Sequence, residues 1–148
     1  MKVSLIENGG GMYVEEFQVT IIELNTKNKS QLRVKVDEAE TTENIIIRAG
    51  ICGKEILSAD YNYLPAFQKF RDKLLQLGYG IKCNGARLNA VQSEMMSGVD
   101  KVYLVEMGRQ ALTKDIVHIW DYADINNFPD TKQQEDFWKK WKERQIGI

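Results

Sequence analysis

The chain has 148 residues, with 20 basic and 21 acidic side chains and a formal net charge of −1 at pH 7. Hydrophobic residues make up 43% of the chain and charged residues 28%, values typical of a soluble globular domain, so extensive disorder is excluded. The near-zero charge provides no global field that would attract nucleic acid or anionic lipid. We expect one domain, residues 1–148, long enough to bury a core without disulfide or metal crosslinks.

The N-terminal segment predicts that the protein is cytoplasmic. MKVSLIENGGG reaches its glycines before an apolar stretch of signal-peptide length has formed, and no run approaches the roughly 20 apolar residues of a membrane span. In a reducing compartment we expect Cys52 and Cys83 to be free thiols, because they lie far apart and form no CxxC pair.

The first part of the chain is predicted to be antiparallel sheet. Lys2–Glu7 and Met12–Leu24 are strand-like and flank the glycine-rich turn Asn8–Gly11, which indicates a hairpin. After a second turn at Asn25–Ser30, apolar residues alternate with charged ones along the next strand (Leu32, Val34 and Val36 against Arg33 and Lys35). This period of two is typical of a strand with one face in water.

A second hairpin is predicted from Asn44–Ile51 and Lys54–Ser58, with Gly50 and Gly53 marking the turn. The apolar run at Ile45–Ile47 places this hairpin in the centre of the sheet. A helix follows, with Asn62 as its cap, Pro65 in its first turn and Gly78 as its left-handed C-cap. Its apolar face has helical spacing: Leu64, Phe67, Phe70, Leu74 and Leu77.

The second half of the chain combines short strands with a final helix. Tyr79–Cys83 and Leu88–Gln92 flank Asn84-Gly85, a strong signal for a hairpin turn. Ser93–Asp100 is expected to be a loop and Lys101–Met107 a strand. Asp115–Tyr122 is ambiguous between strand and helix, and its alternation favours a strand.

The last predicted element is a helix opened by Pro129-Asp130-Thr131, where Thr131 and Gln134 fit a capping box. Together these elements predict an α+β fold, mainly an antiparallel sheet of about six to eight strands with two principal helices packed on it.

One group of residues has the spacing of a metal site. On a helix, His118, Asp121 and Asp124 would share a face and could hold a metal ion or position a water. On a strand the same spacing sends alternate members to opposite faces, and the histidine is then structural. Cys83 with His118 is a second candidate, as a thiolate pair, whereas a buried strand thiol explains Cys83 with fewer assumptions.

We find no complete catalytic, cofactor or metal signature in the sequence. Ser93 lacks a G-x-S-x-G elbow, and Gly9–Gly11 lacks the Lys-Ser/Thr of a phosphate loop. We therefore predict no catalytic site, no cofactor and no metal. An enzyme whose site assembles only in three dimensions remains the third hypothesis.

The C-terminal helix supports an alternative function. Basic residues there (Lys139, Lys140, Lys142 and Arg144) alternate with Phe137, Trp138 and Trp141, a mixture that could contact phosphates and stack on bases. The alternative is a packed amphipathic helix, in which Phe137 and Trp141 face the sheet and the lysines are solvated. Nucleic-acid binding through this helix is the runner-up to protein binding.

An acidic stretch is the other local charge feature, formed by Asp37, Glu38, Glu40 and Glu43. Such carboxylates could face a basic protein partner and accelerate its association. A solvated loop with no partner is the alternative for any one of them. We carry Asp37, Glu38 and Glu40 as candidate partner-binding residues.

Four segments resemble a group of small bacterial proteins: Gly78 to Arg87 (GYGIKCNGAR), Ser93 to Met96 (SEMM), Val102-Tyr103-Leu104 and Val117 to Asp121 (VHIWD). These proteins confer immunity against polymorphic toxins, including contact-dependent growth inhibition systems. The similarity covers about residues 74–121. It implies a cytoplasmic inhibitor that binds a toxin domain, with no catalysis of its own. Arg87 and Ser93, polar residues on predicted loops, are the candidate contacts in this region.

Overall fold

A large antiparallel sheet is formed mainly by the first 60 residues of the chain. The computed structural model describes residues 2–8, 12–39 and 44–146, with side chains over 14–38 and 44–144. Five consecutive strands lie side by side in chain order: β1 Lys2–Asn8, β2 Met12–Glu23, β3 Lys29–Ala39, β4 Ile45–Ile51 and β5 Lys54–Asp60. A short sixth strand, β6 Tyr79–Ile81, pairs with the end of β2.

Both predicted hairpins form, but the second one lies at the edge of the sheet. Residues 9–11 of the first turn are outside the described residues, while β1 and β2 pair antiparallel as expected. The turn between β4 and β5 has positive φ at Cys52 (52°) and Gly53 (73°). Among the described strands β5 pairs only with β4, so the prediction that this hairpin is central was wrong. Apolar content in β4 reflects burial under a helix rather than a central position.

The alternation predicted along β3 is confirmed. Leu32, Val34 and Val36 are buried, and Arg33 and Lys35 are exposed. The apolar face of this strand therefore contributes to the core, and its charged face remains in water.

Helix α1, Tyr63–Gln76, covers the buried face of the sheet. Its N-terminus is stabilised differently from the prediction, because the Asn62 side chain makes no capping bond and Asp60 Oδ1 instead accepts the Asn62 N–H at 2.9 Å. After the C-cap at Leu77, Gly78 has φ +90°, a conformation that favours glycine, so the predicted end of the helix is confirmed.

Trp120 is the centre of the hydrophobic core. Its ring stacks on Phe17 with centroids 5.4 Å apart and meets the edges of Phe67 at 5.2 Å and Phe70 at 6.3 Å. The indole Nε1–H donates to Tyr63 Oη at 2.9 Å, which satisfies both buried polar groups. The large sheet, α1 and the segment that carries Trp120 therefore meet at this one side chain.

A separate three-stranded sheet follows α1. It consists of β7 Ala90–Val91, β8 Lys101–Leu104 and β9 Ile116–His118, in that order. The strand interpretation of Asp115–Tyr122 is thus confirmed for its first half, with Asp115 closing a 3₁₀ turn before it.

The hairpin predicted around Asn84-Gly85 was wrong. Asn84–Ala86 is a 3₁₀ turn, and the strands on its two sides belong to different sheets. The Asn84 N–H donates to the Asp121 carbonyl at 3.0 Å, and the Gly85 N–H to the Ile119 carbonyl at 2.9 Å. Hydrogen bonds to residues more than thirty positions away thus override the local turn preference.

Helix α2, Thr131–Ile146, packs against the small sheet rather than the large one. Phe137 and Trp141 join Val91 and Val105 in a second apolar cluster. This corrects the expectation that both helices lie on one sheet. Neither α1 nor α2, the helices of the described chain, is long and apolar enough to cross a membrane.

The cap of α2 is shifted by one residue from the predicted Thr131/Gln134 box. Asp130 Oδ1 accepts the Gln133 N–H at 2.9 Å, and Gln133 Oε1 accepts the Asp130 N–H at 2.9 Å. Gln134 is thereby left to point into the protein, where it is 2% exposed.

Candidate functional site

Two of the three acidic residues predicted to bind a partner, Asp37 and Glu38, lie in a strand and not in a loop. Asp37 lies in β3 and is buried, with Oδ2 3.3 Å from Arg48 Nη2, so it is unavailable to a partner. Glu38 follows it in β3 and is half-buried, and Glu40 lies outside the described residues. The burial of Asp37 contradicts the solvated-loop alternative at that position, and partner binding by Glu38 and Glu40 stays a prediction.

Two residues of the candidate metal group, His118 and Asp124, have separate partners. His118 Nδ1 lies 3.5 Å from Asp100 Oδ2, and Asp124 Oδ1 lies 3.0 Å from Lys82 Nζ. The hydrogen bond from Lys82, reinforced by its charge, lowers the pKa of Asp124. Within the described residues no three His, Cys, Asp or Glu side chains are grouped so that they could hold a metal ion.

Cys83 is a structural thiol. It is fully buried, and burial raises the pKa of its thiol to about 12, so the reactive thiolate is absent at neutral pH. The burial favoured for Cys83 is therefore confirmed, and the alternative of a thiolate pair with His118 is ruled out. Cys52 and Cys83 are both free, as predicted.

Arg87 lies at a junction of the framework. Its Nε donates to Asn84 Oδ1 at 3.1 Å, and its carbonyl oxygen accepts from Gln134 Nε2 at 2.7 Å. The side chain is half-buried. These contacts give Arg87 a role in holding the Asn84–Ala86 turn against α2.

Gln134 connects this turn to both helices. Its Nε2 also donates to the Gly85 carbonyl at 2.9 Å, while its Oε1 accepts from Arg71 Nη2 at 2.6 Å and from Gln68 Nε2 at 3.1 Å. Burial lowers the pKa of the Arg71 guanidinium, which is satisfied in part by this carboxamide. A buried polar network of this kind fixes the relative position of α1 and α2.

Beside this network is a groove of about 280 Å³ between the start of α1, the Gln92–Ser97 connection and α2. We call it the Trp138 groove. Its apolar surface comes from Leu64, Pro65, Ala90, Val91 and Trp138. A second depression of about 590 Å³ adjoins it, shares Val91 to Glu94 and Trp138 with the groove, and is also lined by Tyr103, Ala111, Trp141 and Lys142.

Large apolar side chains are exposed around the Trp138 groove. Met95, on the 3₁₀ turn Glu94–Met96 at the rim, is 98% exposed, and Trp138 is 36% exposed. Lys142 Nζ lies 4.3 Å from the centroid of the Trp138 ring, in cation–π geometry. Ser93, one of the predicted contacts, is exposed and lines both the groove and the adjoining depression.

The charge of the Trp138 groove is acidic. Glu94 and Glu135 line it and are exposed, and neither makes an ion pair with another described residue. No lysine or arginine is among its lining residues in the described part of the chain. The groove therefore combines an apolar floor with two carboxylates that form no described ion pair, while Lys142 lies over the Trp138 ring at the adjoining depression.

The connection that forms one wall of the groove is held firmly. Gln92 Oε1 accepts the Leu64 N–H at 3.1 Å, and Gln92 Nε2 donates to the carbonyls of Val99 at 2.8 Å and Lys101 at 2.9 Å. The Tyr63 N–H donates to the Ser97 carbonyl at 2.6 Å. These bonds attach both ends of the connection to α1 and β8.

The C-terminal helix presents one aromatic ring to solvent rather than three. Trp141 is buried, with its Nε1–H donated to the Arg109 carbonyl at 3.0 Å, and Phe137 is half-buried in the same cluster. Lys139, Lys140, Lys142 and Arg144 are exposed. The packed amphipathic arrangement is therefore observed, and Trp138, beside the packed face, is left free.

Sequence reasoning missed the groove because its walls come from three distant segments. Ser93 was singled out for its polar chemistry, whereas Met95, Glu94 and Glu135 were not singled out as contacts. The signal that was present is Trp138 lying off the Phe137–Trp141 face. In comparisons with known proteins, no family model matches the chain, and no curated protein matches it significantly in sequence.

Proposed function

We propose that this chain is a cytoplasmic immunity protein that binds and neutralises a toxin domain, with the Trp138 groove and the Ser93–Ser97 connection as its binding surface. The observation that carries the proposal is the exposure of Trp138 and Met95 beside a preformed groove. Exposed Trp and Met side chains are enriched where proteins bury surface against a partner.

Rigidity of the surface supports the same function. The hydrogen bonds of Gln92 and Ser97 order the connection before any partner arrives, and the Gln134 network fixes α2. Little conformational entropy is then lost on binding, which favours a tight complex of the kind an inhibitor needs.

The resemblance to toxin immunity proteins covers part of the same region. The segment Ser93-Glu94-Met95-Met96 forms the rim of the groove, and the Asn84–Arg87 turn holds the helix that carries Trp138. The residues that carry the resemblance therefore include one wall of the proposed contact surface and part of its support, while Trp138 and Glu135 lie outside them.

The experiment is capture followed by protection. The tagged chain is used to retain partners from lysate and secreted fraction of its own bacterium, and each retained protein is expressed in a susceptible host with and without the chain. The proposal expects a captured protein that stops growth when expressed alone and is harmless when co-expressed with the chain.

The matched variants are Trp138→Ala and Met95→Asp against Tyr122→Ser. Tyr122 is 55% exposed, more than Trp138, and does not line the groove. We expect the first two variants to lose protection while remaining folded and Tyr122→Ser to retain it. Capture of nucleic acid alone, lost on Lys139→Glu with Lys140→Glu and at raised salt, would contradict the proposal in favour of nucleic-acid binding.

A further inference from the structure

We propose that the Trp138 groove receives an arginine side chain of the partner protein. The inference deepens the proposed function and rests on it for the identity of that partner as a toxin domain. The structural argument concerns the groove itself: its size, its apolar floor, its free acceptors and its charge.

The size of the groove suits one long side chain. About 280 Å³ lies at the lower limit of small-molecule pockets, which start near 300 Å³. Leu64, Pro65 and Val91 give the floor an apolar surface on which the methylene stem of a long basic side chain can pack. Trp138 adds an aromatic wall.

Three side chains that line the groove carry hydrogen-bond acceptors: Glu94, Glu135 and Gln68. Glu94 and Glu135 contribute carboxylates that have no cationic partner among the described residues. Gln68 donates its Nε2 to Gln134, and its Oε1 makes no hydrogen bond to the described part of the chain. A ligand that brings only donors would match these groups, and a ligand that brings a carboxylate would be repelled by the two glutamates.

Guanidinium fits this set better than ammonium. It is planar and offers five donors, so it can contact a carboxylate with two parallel hydrogen bonds while it stacks on an indole ring. Lys142 Nζ already lies 4.3 Å from the centroid of the Trp138 ring, so a cation contacts this ring in the structure. Arginine is also among the residues that dominate binding energy at protein interfaces.

The test uses Nα-acetyl-arginine amide as the probe and the Trp138 indole N–H as the reporter, assigned by its loss in Trp138→Phe. We expect a saturable shift of this NMR signal with a millimolar dissociation constant, as befits a ligand of few atoms. The citrulline analogue has the same shape without the charge, and we expect it to bind about tenfold more weakly.

The matched variants are Glu94→Gln and Glu135→Gln against Glu143→Gln. Glu143 lies on α2, is exposed and does not line the groove. We expect the double variant Glu94→Gln/Glu135→Gln to lose most of the arginine response and Glu143→Gln to retain it, both with native spectra. Equal binding of citrulline, or an unchanged response in the double variant, overturns the inference.

Failure of this inference is distinguishable from failure of the proposed function. If a captured toxin binds Glu94→Lys/Glu135→Lys as tightly as it binds the wild type, the arginine inference is wrong and the immunity function is unaffected. If the groove responds to arginine but no toxin is captured, the proposed function is contradicted and the groove is still a site for a basic side chain. With both correct, the charge reversal lowers toxin affinity at least about tenfold and Glu143→Lys does not.

Discussion

Gln134 donates its side-chain amide to the Gly85 carbonyl at 2.9 Å, across 49 positions of sequence. The same carboxamide accepts from the buried guanidinium of Arg71 at 2.6 Å. One side chain on α2 thus satisfies a backbone acceptor of the Asn84–Ala86 turn and a charged donor of α1, and it thereby positions the helix that carries Trp138.

We expect Gln134→Ala to lower the free energy of unfolding by about 3 kcal/mol, because it leaves a buried charged donor and buried carbonyls without partners. The adjacent Gln133→Ala removes only an exposed capping contact and should lower it by about 1 kcal/mol or less. Urea unfolding followed by tryptophan fluorescence compares the two. Equal losses of unfolding free energy in the two variants would show that the buried network contributes no more to stability than the exposed capping contact.

Gly85 is required for close approach and not for a turn conformation. Its φ is outside the positive region, and a Cβ built on it would lie 2.7 Å from Ile119 Cγ2 and 3.1 Å from Phe67 Cε2. We expect Gly85→Ala to destabilise the protein by about 2 kcal/mol through overpacking. Gly98→Ala is the control, since a Cβ there meets nothing within 4 Å, and thermal unfolding of both variants measures the difference. A Gly85→Ala melting temperature equal to that of Gly98→Ala would refute this account.

The sequence predicts those parts of the fold that depend on local periodicity. Two patterns predicted their elements correctly: the alternation along Leu32 to Val36 and the helical spacing from Leu64 to Leu74. Each pattern reflects one buried face of a single strand or helix. Asn84-Gly85 misled because its turn preference is local, whereas its observed hydrogen bonds reach Ile119 and Asp121. A glycine needed for close packing cannot be distinguished from a glycine needed for a turn by its sequence neighbours.

The candidate site was predictable only in fragments. Ser93 was proposed from polarity on a loop, and it does line the groove. Glu94 and Glu135 lie 41 positions apart, and nothing in the sequence indicates that they share a cavity. The sequence fits a capping box with Gln134 as well as it fits the observed box with Gln133. Only the packing of α2 decides which of the two glutamines is buried.

Asp124 should contribute a pH-dependent part of the stability. Lys82 lowers the pKa of Asp124, so the folded state favours the ionised carboxylate. That contribution is fully present above the unfolded-state pKa of about 3.9 and is lost as pH falls through the lowered folded pKa. We therefore expect Asp124→Asn to be less stable than wild type at pH 7 and the gap to close in acid.

Asp121→Asn is the control for this titration, because Asp121 is exposed and its side chain has no described ion pair. Urea unfolding between about pH 7 and pH 2.5 covers the range in which the Asp124 contribution disappears. A gap between Asp124→Asn and wild type that stays constant over this range would show that the Lys82 contact does not depend on the charge of Asp124.

The two cysteines should differ sharply in reactivity. Cys83 is fully buried with a thiol pKa of about 12, and Cys52 is exposed at the β4–β5 turn. We expect one thiol to react with an aromatic disulfide reagent in the native protein at pH 8 and a second only after unfolding in guanidinium. Cys52→Ser should abolish the native reaction. Two fast thiols in the native state would contradict the burial of Cys83.

Two lysines of α1 donate hydrogen bonds to the edge strand β5 of the large sheet. Lys69 Nζ donates to the Ala59 carbonyl at 3.2 Å, and Lys73 Nζ donates to the Leu57 carbonyl, both on the outer strand β5. These acceptors would otherwise be available to a strand of another chain. We expect the double variant Lys69→Met/Lys73→Met to self-associate at lower protein concentration than the wild type, as measured by sedimentation velocity. Lys132→Met is the control, because Lys132 is an exposed lysine of α2. If the double variant sediments as wild type at every concentration, the edge is protected by the helix backbone and its packing instead of by the two ammonium groups.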